Sequence, residues 1–125
     1  INDSQNIKSN GVMGVPIDKF QNNLVKLVNQ AKNFSKNIAF IGLTKVDQSS
    51  IPKIWGTEKF YDNNVIAKYD SIIKKVSNEH DLPFLNLLDL IEPKDLDDGL
   101  HPNTEGHKKM FLKVKDFLFS IKYIQ

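Results

Sequence analysis

Neither cysteine nor arginine occurs anywhere in the 125 residues. Without a thiol there is no disulfide, no thiolate nucleophile and no sulfur-ligated metal site. A cysteine-free chain suits oxidising and reducing compartments alike, so localisation stays open. Without arginine there is no planar fork to grip phosphate or guanine with two hydrogen bonds. The 17 lysines are scattered along the chain and leave a formal charge of only +2, so no nucleic-acid partner is expected. Long apolar runs are missing too: none approaches the roughly 20 residues that a membrane-spanning helix needs, and no membrane span is expected. Internal repeats, low-complexity tracts and linkers are absent, which makes residues 1–125 a single domain. What is present, 40% hydrophobic and 26% charged residues, is the composition of a folded globular protein.

The apolar pattern alternates between helical and strand periods. Residues 4–16, rich in Asn, Ser and Gly, read as a loop. From Pro16 a helix is expected, with Phe20, Leu24, Leu27, Ala31 and Phe34 on its apolar face. Residues 38–43 form an unbroken apolar run, as in a parallel strand covered on both faces. Residues 44–55 are an irregular connection ending at Trp55, which reads as a packing residue. A second helix over about residues 61–79 carries Val65, Ile66, Tyr69, Ile72, Ile73 and Val76 as its stripe, and His80 lies just past its end. Residues 82–88 are the next strand, with Pro83 tolerated near its start. The last helix, about residues 105–122, places Met110, Phe111, Val114, Phe117, Leu118 and Ile121 on one face and is expected to dock onto the sheet. Helix, strand, helix, strand, helix is the rhythm of an α/β fold with crossover helices.

Between the last strand and the last helix lies the densest chemistry, Asp97-Asp98-Gly99-Leu100-His101-Pro102-Asn103-Thr104-Glu105-Gly106-His107. Asp98 and His101 are three positions apart, so they can face the same way. A general base of this kind needs a carboxylate that fixes its tautomer and stabilises the imidazolium formed during proton transfer. Gly99 permits a tight turn, and Pro102 biases His101 toward extended backbone, outside the helix. Asn103 or Thr104 can cap the helix. Asp98 as a plain turn residue and His101 as a surface histidine are the ordinary alternatives. A metal site built from Asp97, Asp98, His101 and His107 is another, since the donor types suit it. Ser4, Asp98 and His101 follow the chain order of an α/β-hydrolase triad, but the strained G-x-S-x-G turn is absent around Ser4.

The run from Asp98 to His107 resembles the last block of the SGNH, or GDSL-type, esterases and acylhydrolases, D-x-x-H-P followed by a helix. Ile1-Asn2-Asp3 is similar to the end of that family's G-x-N-D block. The resemblance implies that Asp98 and His101 are triad members and that the Asn2 side chain helps form the oxyanion hole. It also implies a three-layer α/β/α sandwich with a flavodoxin-like parallel sheet, ester hydrolysis on a small-molecule substrate, and no metal or cofactor. The family's Gly-Asp-Ser nucleophile block is not among these residues, nor is its second glycine block. The chain therefore resembles the C-terminal part of such a domain, with the N-terminal strands missing. A catalytically inactive binding module that keeps the fold is the alternative reading. Helices with too little sheet to cover leave apolar faces open, so the chain alone is expected to be poorly stable or to associate.

Overall fold

The computed structural model describes residues 1–7, 14–51 and 59–125; Trp55 lies outside them. A short 3-10 turn, Asn2–Ser4, leads into β1 (Asn6–Ile7), α1 (Ile17–Ala31), β2 (Phe40–Ile41), β3 (Lys59–Phe60), α2 (Asn63–Glu79), β4 (Phe84–Leu85), a second 3-10 turn (Pro93–Asp95) and α3 (Thr104–Ser120).

The expected α/β arrangement is present. β2 and β4 pair in parallel, with Phe40 opposite Phe84 and Ile41 opposite Leu85. The ladder continues loosely beyond the strands through Gly42 N–H to the Leu85 carbonyl at 2.8 Å and Lys45 N–H to that of Leu88 at 3.3 Å. Successive strand residues point to opposite faces, and here the two faces differ. Phe40 and Phe84 pack against a cluster of Phe20 from α1 with Tyr69 and Ile73 from α2. The Phe20 and Tyr69 rings are tilted at 52° with centroids 4.8 Å apart, a geometry that adds to simple area burial. On the other face, Leu85 looks across a cleft lined by Lys113, Asp116, Phe117 and Ser120 of α3. Helices thus lie on both sides of the strands.

Each helix has a local cause. Asp62 caps α2, its carboxylate accepting from Asn64 N–H at 2.7 Å, a contact type that stabilises by about 1 kcal/mol. The α2 stripe is as expected, with Ile66, Tyr69, Ile73 and Val76 buried. In α1 the buried residues are Phe20 and Val28. Phe20 and Leu24 pack on the core as expected, whereas Leu27 is exposed and Val28 is buried in its stead, and Phe34, 89% exposed, falls beyond the helix end at Ala31.

Three further expectations need correction. The loop proposed over residues 4–16 contains β1, which pairs antiparallel with β3, Asn6 opposite Phe60. β2 is not covered on both faces, since Ile41 is exposed. α3 does not seal against the sheet: Gly106 is its one buried residue, while Phe111 is 63% exposed and Leu112 and Phe119 are exposed as well. Its far end is tied instead by Tyr123, whose hydroxyl donates to the Ile38 carbonyl at 3.1 Å. The apolar stripe of α3 is wide enough to cover more sheet than two short strands provide.

Candidate active site

The segment that carries Asp98 and His101 is a small closed turn. Leu96 and Pro102 form an antiparallel bridge, Asp97 N–H donates to the His101 carbonyl at 2.9 Å, and Asn103 N–H donates to that of Asp95 at 2.8 Å. Gly99 sits at the tip with φ of +84°, and a Cβ there would meet the Asp47 carbonyl and Ser50 at 3.0 Å. No other residue fits that backbone without strain. The tip is fastened from outside by Asp47 N–H, which donates to the Gly99 carbonyl at 2.8 Å. Leu100 is buried in a cluster with Val46, Ile51, Tyr61 and Ile66. Burying a side chain of that size stabilises by about 1.5–3 kcal/mol, and it pins the turn between the acid and the imidazole.

Asp98 uses both carboxylate oxygens. Oδ1 accepts from Leu100 N–H at 3.0 Å and from His101 N–H at 2.8 Å. Oδ2 faces His101 Nδ1 at 2.8 Å. Burial pushes the carboxyl pKa up, but it is outweighed by the His101 backbone and ring hydrogen bonds, the Leu100 N–H and the attraction of the imidazole, which hold Asp98 well below the usual carboxylate range. An ionised acid that accepts at Oδ2 requires the proton on Nδ1, and this makes Nε2 the basic nitrogen of a neutral ring. The side chain of Asp98 is 25% exposed and that of His101 64% exposed, so the carboxylate is sheltered and the imidazole faces outward.

Behind this pair stands a brace that the sequence pattern did not reveal. Asp95 is buried, and its Oδ2 accepts from Lys109 Nζ at 2.6 Å and from Glu92 N–H at 3.0 Å. Lys109 also lies 3.7 Å from Glu92, which pairs with Lys94 at 2.7 Å. Lys109 therefore ties the first two turns of α3 to the segment that enters the Asp98 turn. Asn103 is the cap of α3, its Oδ1 accepting from Glu105 and Gly106 N–H, while its Nδ2 donates to the Lys94 carbonyl at 2.8 Å. Gly106 lets the helix come this close: a Cβ there would stand 2.4 Å from the Asp95 carbonyl oxygen.

Asn2 is tied by a hydrogen bond to a residue of the core that also holds Leu100. Ile1 packs on the cluster that contains Tyr61 and Leu100. The Tyr61 hydroxyl donates to Asn2 Oδ1 at 3.1 Å and accepts from Gln5 Nε2 at 3.1 Å. Tyr61 and Gln5 carried no signal in the sequence beyond being polar groups near an apolar run.

The remaining candidates are not gathered here. Ser4 is buried and its hydroxyl donates to the Ile1 carbonyl at 2.6 Å, which is a local turn bond. His80 terminates α2, and His107 lies exposed on α3. Among the described residues no group of three or more His, Asp or Glu side chains converges closely enough to hold a metal ion. Asp97, Asp98, His101 and His107 thus do not form the ligand set considered from the sequence. Among the same residues, no helix is long and apolar enough to cross a membrane.

A multidomain esterase from Ruminococcus flavefaciens is 33% identical over 112 residues, covering 83% of this chain and 14% of the esterase. LAE5, an alpha/beta hydrolase enzyme from the metagenome of Lake Arreo, Spain, superimposes with a TM-score of 0.58 at 17% identity, over 82% of this chain and 47% of that one. The chain thus spans less than half the length of either. The model of the GDSL-like Lipase/Acylhydrolase family matches residues 1–109, which take in both the Asn2 block and the Asp98–His101 turn, and the chain belongs to that family.

Proposed function

We propose that this chain supplies the base, the orienting acid and one oxyanion donor of a serine esterase that hydrolyses carboxylic esters of small molecules, with the nucleophilic serine contributed by a segment outside these 125 residues. The observation that carries it is the Asp98–His101 pair, with the carboxylate locked by two backbone N–H groups and its second oxygen 2.8 Å from Nδ1. The family match and the esterase relative support the reaction class.

In this mechanism His101 Nε2 takes the serine proton as the hydroxyl attacks the ester carbonyl. Asp98 stabilises the resulting imidazolium. Asn2 donates a side-chain N–H to the oxyanion of the tetrahedral intermediate, a type of contact whose loss typically costs about 10²–10³-fold in rate. The intermediate collapses as His101 returns the proton to the departing alkoxide, which leaves as the alcohol. Water then attacks the acyl-serine, His101 accepts its proton, and the acid is released as the proton passes back to serine. No step calls for a metal ion, and a chelator should leave the rate unchanged.

The test uses the full-length protein on short acyl esters, together with labelling of the serine by a fluorophosphonate. His101→Ala should abolish turnover and slow labelling at least a hundredfold. Undiminished turnover in that variant would eliminate His101 as the base.

A further inference from the structure

We infer that Tyr61 is a positioning residue for Asn2, with Gln5 setting the direction of its hydroxyl; the inference rests on the oxyanion role proposed above for Asn2. A terminal amide has a donor end and an acceptor end, and rotation about its last torsion is broad and roughly two-fold. Only one orientation serves an oxyanion. With Nδ2 forward the side chain stabilises the developing charge, and with Oδ1 forward it opposes it. Asn2 is exposed, so packing alone does not choose between them.

Tyr61 makes the choice. Its ring is 3% exposed and is held among Val46, Ile51, Ile66 and Leu100, so its hydroxyl has a fixed address. That hydroxyl carries a single proton. Gln5 Nε2 donates to the phenolic oxygen at 3.1 Å, and the phenol donates to Asn2 Oδ1, also at 3.1 Å. Burial pushes the Tyr61 pKa up, which keeps it a donor at neutral pH. The chain of donors therefore runs from Gln5 through Tyr61 to the Asn2 carbonyl, and the Asn2 NH₂ group is turned away from it. Each bond in such a chain polarises the next. The arrangement is set before substrate arrives, which is the condition under which an oxyanion donor is most effective. Leu100, the neighbour of His101, lies in the same cluster as the Tyr61 ring, so the element that aims the amide is part of the base's own support.

The experiment measures kcat and KM of the full-length protein on a short acyl ester for Tyr61→Phe, Gln5→Glu, Asn2→Ala and the Tyr61→Phe/Asn2→Ala double variant. Tyr61→Phe keeps the ring and should lower kcat about tenfold with KM unchanged, a part of the roughly 10²–10³-fold expected for losing the donor itself. Gln5→Glu leaves the phenol in place but draws its proton to the new carboxylate, so kcat should fall similarly. With Asn2 already replaced, Tyr61→Phe should cost nothing more. Wild-type kcat in both Tyr61→Phe and Gln5→Glu, beside a damaged Asn2→Ala, would overturn the positioning role and leave the oxyanion role intact. Fully additive losses in the double variant would also overturn it. An undamaged Asn2→Ala would remove the oxyanion role and this inference together.

Discussion

Replacing Asp98 by Asn is nearly isosteric, yet the hydrogen-bond pattern leaves the new side chain little freedom. Two backbone N–H groups, of Leu100 and His101, point at Oδ1 from 3.0 and 2.8 Å. The amide has one oxygen, and facing its NH₂ toward those two donors would leave both unpaired. The oxygen therefore takes the Oδ1 place, which puts NH₂ opposite His101 Nδ1. That nitrogen must now accept, so the ring proton moves to Nε2, where the base is needed. In serine-protease triads the equivalent change costs on the order of 10⁴ in kcat, which corresponds to about 5.4 kcal/mol of barrier. Folding should be weakened but not abolished, because the turn keeps its backbone bonds to the amide oxygen while the ionised carboxylate's charge-assisted share of them is lost. Two measurements check this. The ¹⁵N shifts of the His101 ring, recorded on the chain itself, should report protonation at Nδ1 in wild type and at Nε2 in Asp98→Asn. Turnover in the full-length protein should drop by about four decades without a comparable rise in KM. An unchanged tautomer, or turnover within a factor of about three of wild type, would refute the tautomer mechanism.

Other outcomes follow from the same geometry. Gly106→Ala, which sets a methyl 2.4 Å from the Asp95 carbonyl, should destabilise by about 1–3 kcal/mol, read as a lowered melting temperature. Gly99→Ala must hold φ near +84° against the Asp47 carbonyl, so turnover should fall by more than thermal stability does. For acid stability, the Asp98, Asp47, Asp95 and Glu92 carboxyls sit below their ordinary values, held mainly by hydrogen bonds from His101, Ser49, Lys109 and Lys94 respectively. In that window the unfolded chain binds more protons, so the stability these groups contribute is complete above the ordinary carboxylate range and is lost as pH falls through about 4 and below. Asp70, raised by burial, has the opposite sign. Chemical denaturation should therefore show stability falling steeply from about pH 5 to pH 3, and a flat profile would contradict the carboxylate hydrogen bonds. Phe111, 63% exposed on α3, should drive self-association of the isolated chain, and Phe111→Glu should shift light scattering toward monomer.

What could be read from the residues was mainly local chemistry. Gly99, Pro102 and Asn103 act within a few positions of themselves, and the turn, the place of His101 outside the helix and the helix cap are as expected. The α2 stripe was also legible, because one face of that helix is apolar and the other is rich in lysine. In α1 both Leu27 and Val28 are apolar, and only tertiary packing buries Val28 and leaves Leu27 exposed. Two-residue strands such as β1 and β3 leave no alternation to detect, so their pairing was hidden in an apparent loop. Asp95 ends a short turn and Lys109 lies on α3, so they meet across two elements, and no periodicity within one element could link them. The apolar face of α3 was visible as a face, but its expected seal against the sheet did not follow, since a stripe states what a helix buries and not what is available to bury it. Asn2 became a candidate only through family resemblance, since Asn-Asp is ordinary in loops.

The two halves of the site are assembled over very different stretches of chain. Asp98 meets His101 across three residues and Lys109 meets Asp95 across 14, whereas Tyr61 reaches Asn2 across 59. Short loops lose little entropy on closing and re-form quickly, while long-range pairings close late and open early. A partial opening that separates β1 from β3 would leave His101 and Asp98 assembled while carrying Asn2 away. Under the mechanism proposed above, proton abstraction is thus the robust half, and charge stabilisation is the half that depends on the long-range contact between Tyr61 and Asn2 staying closed.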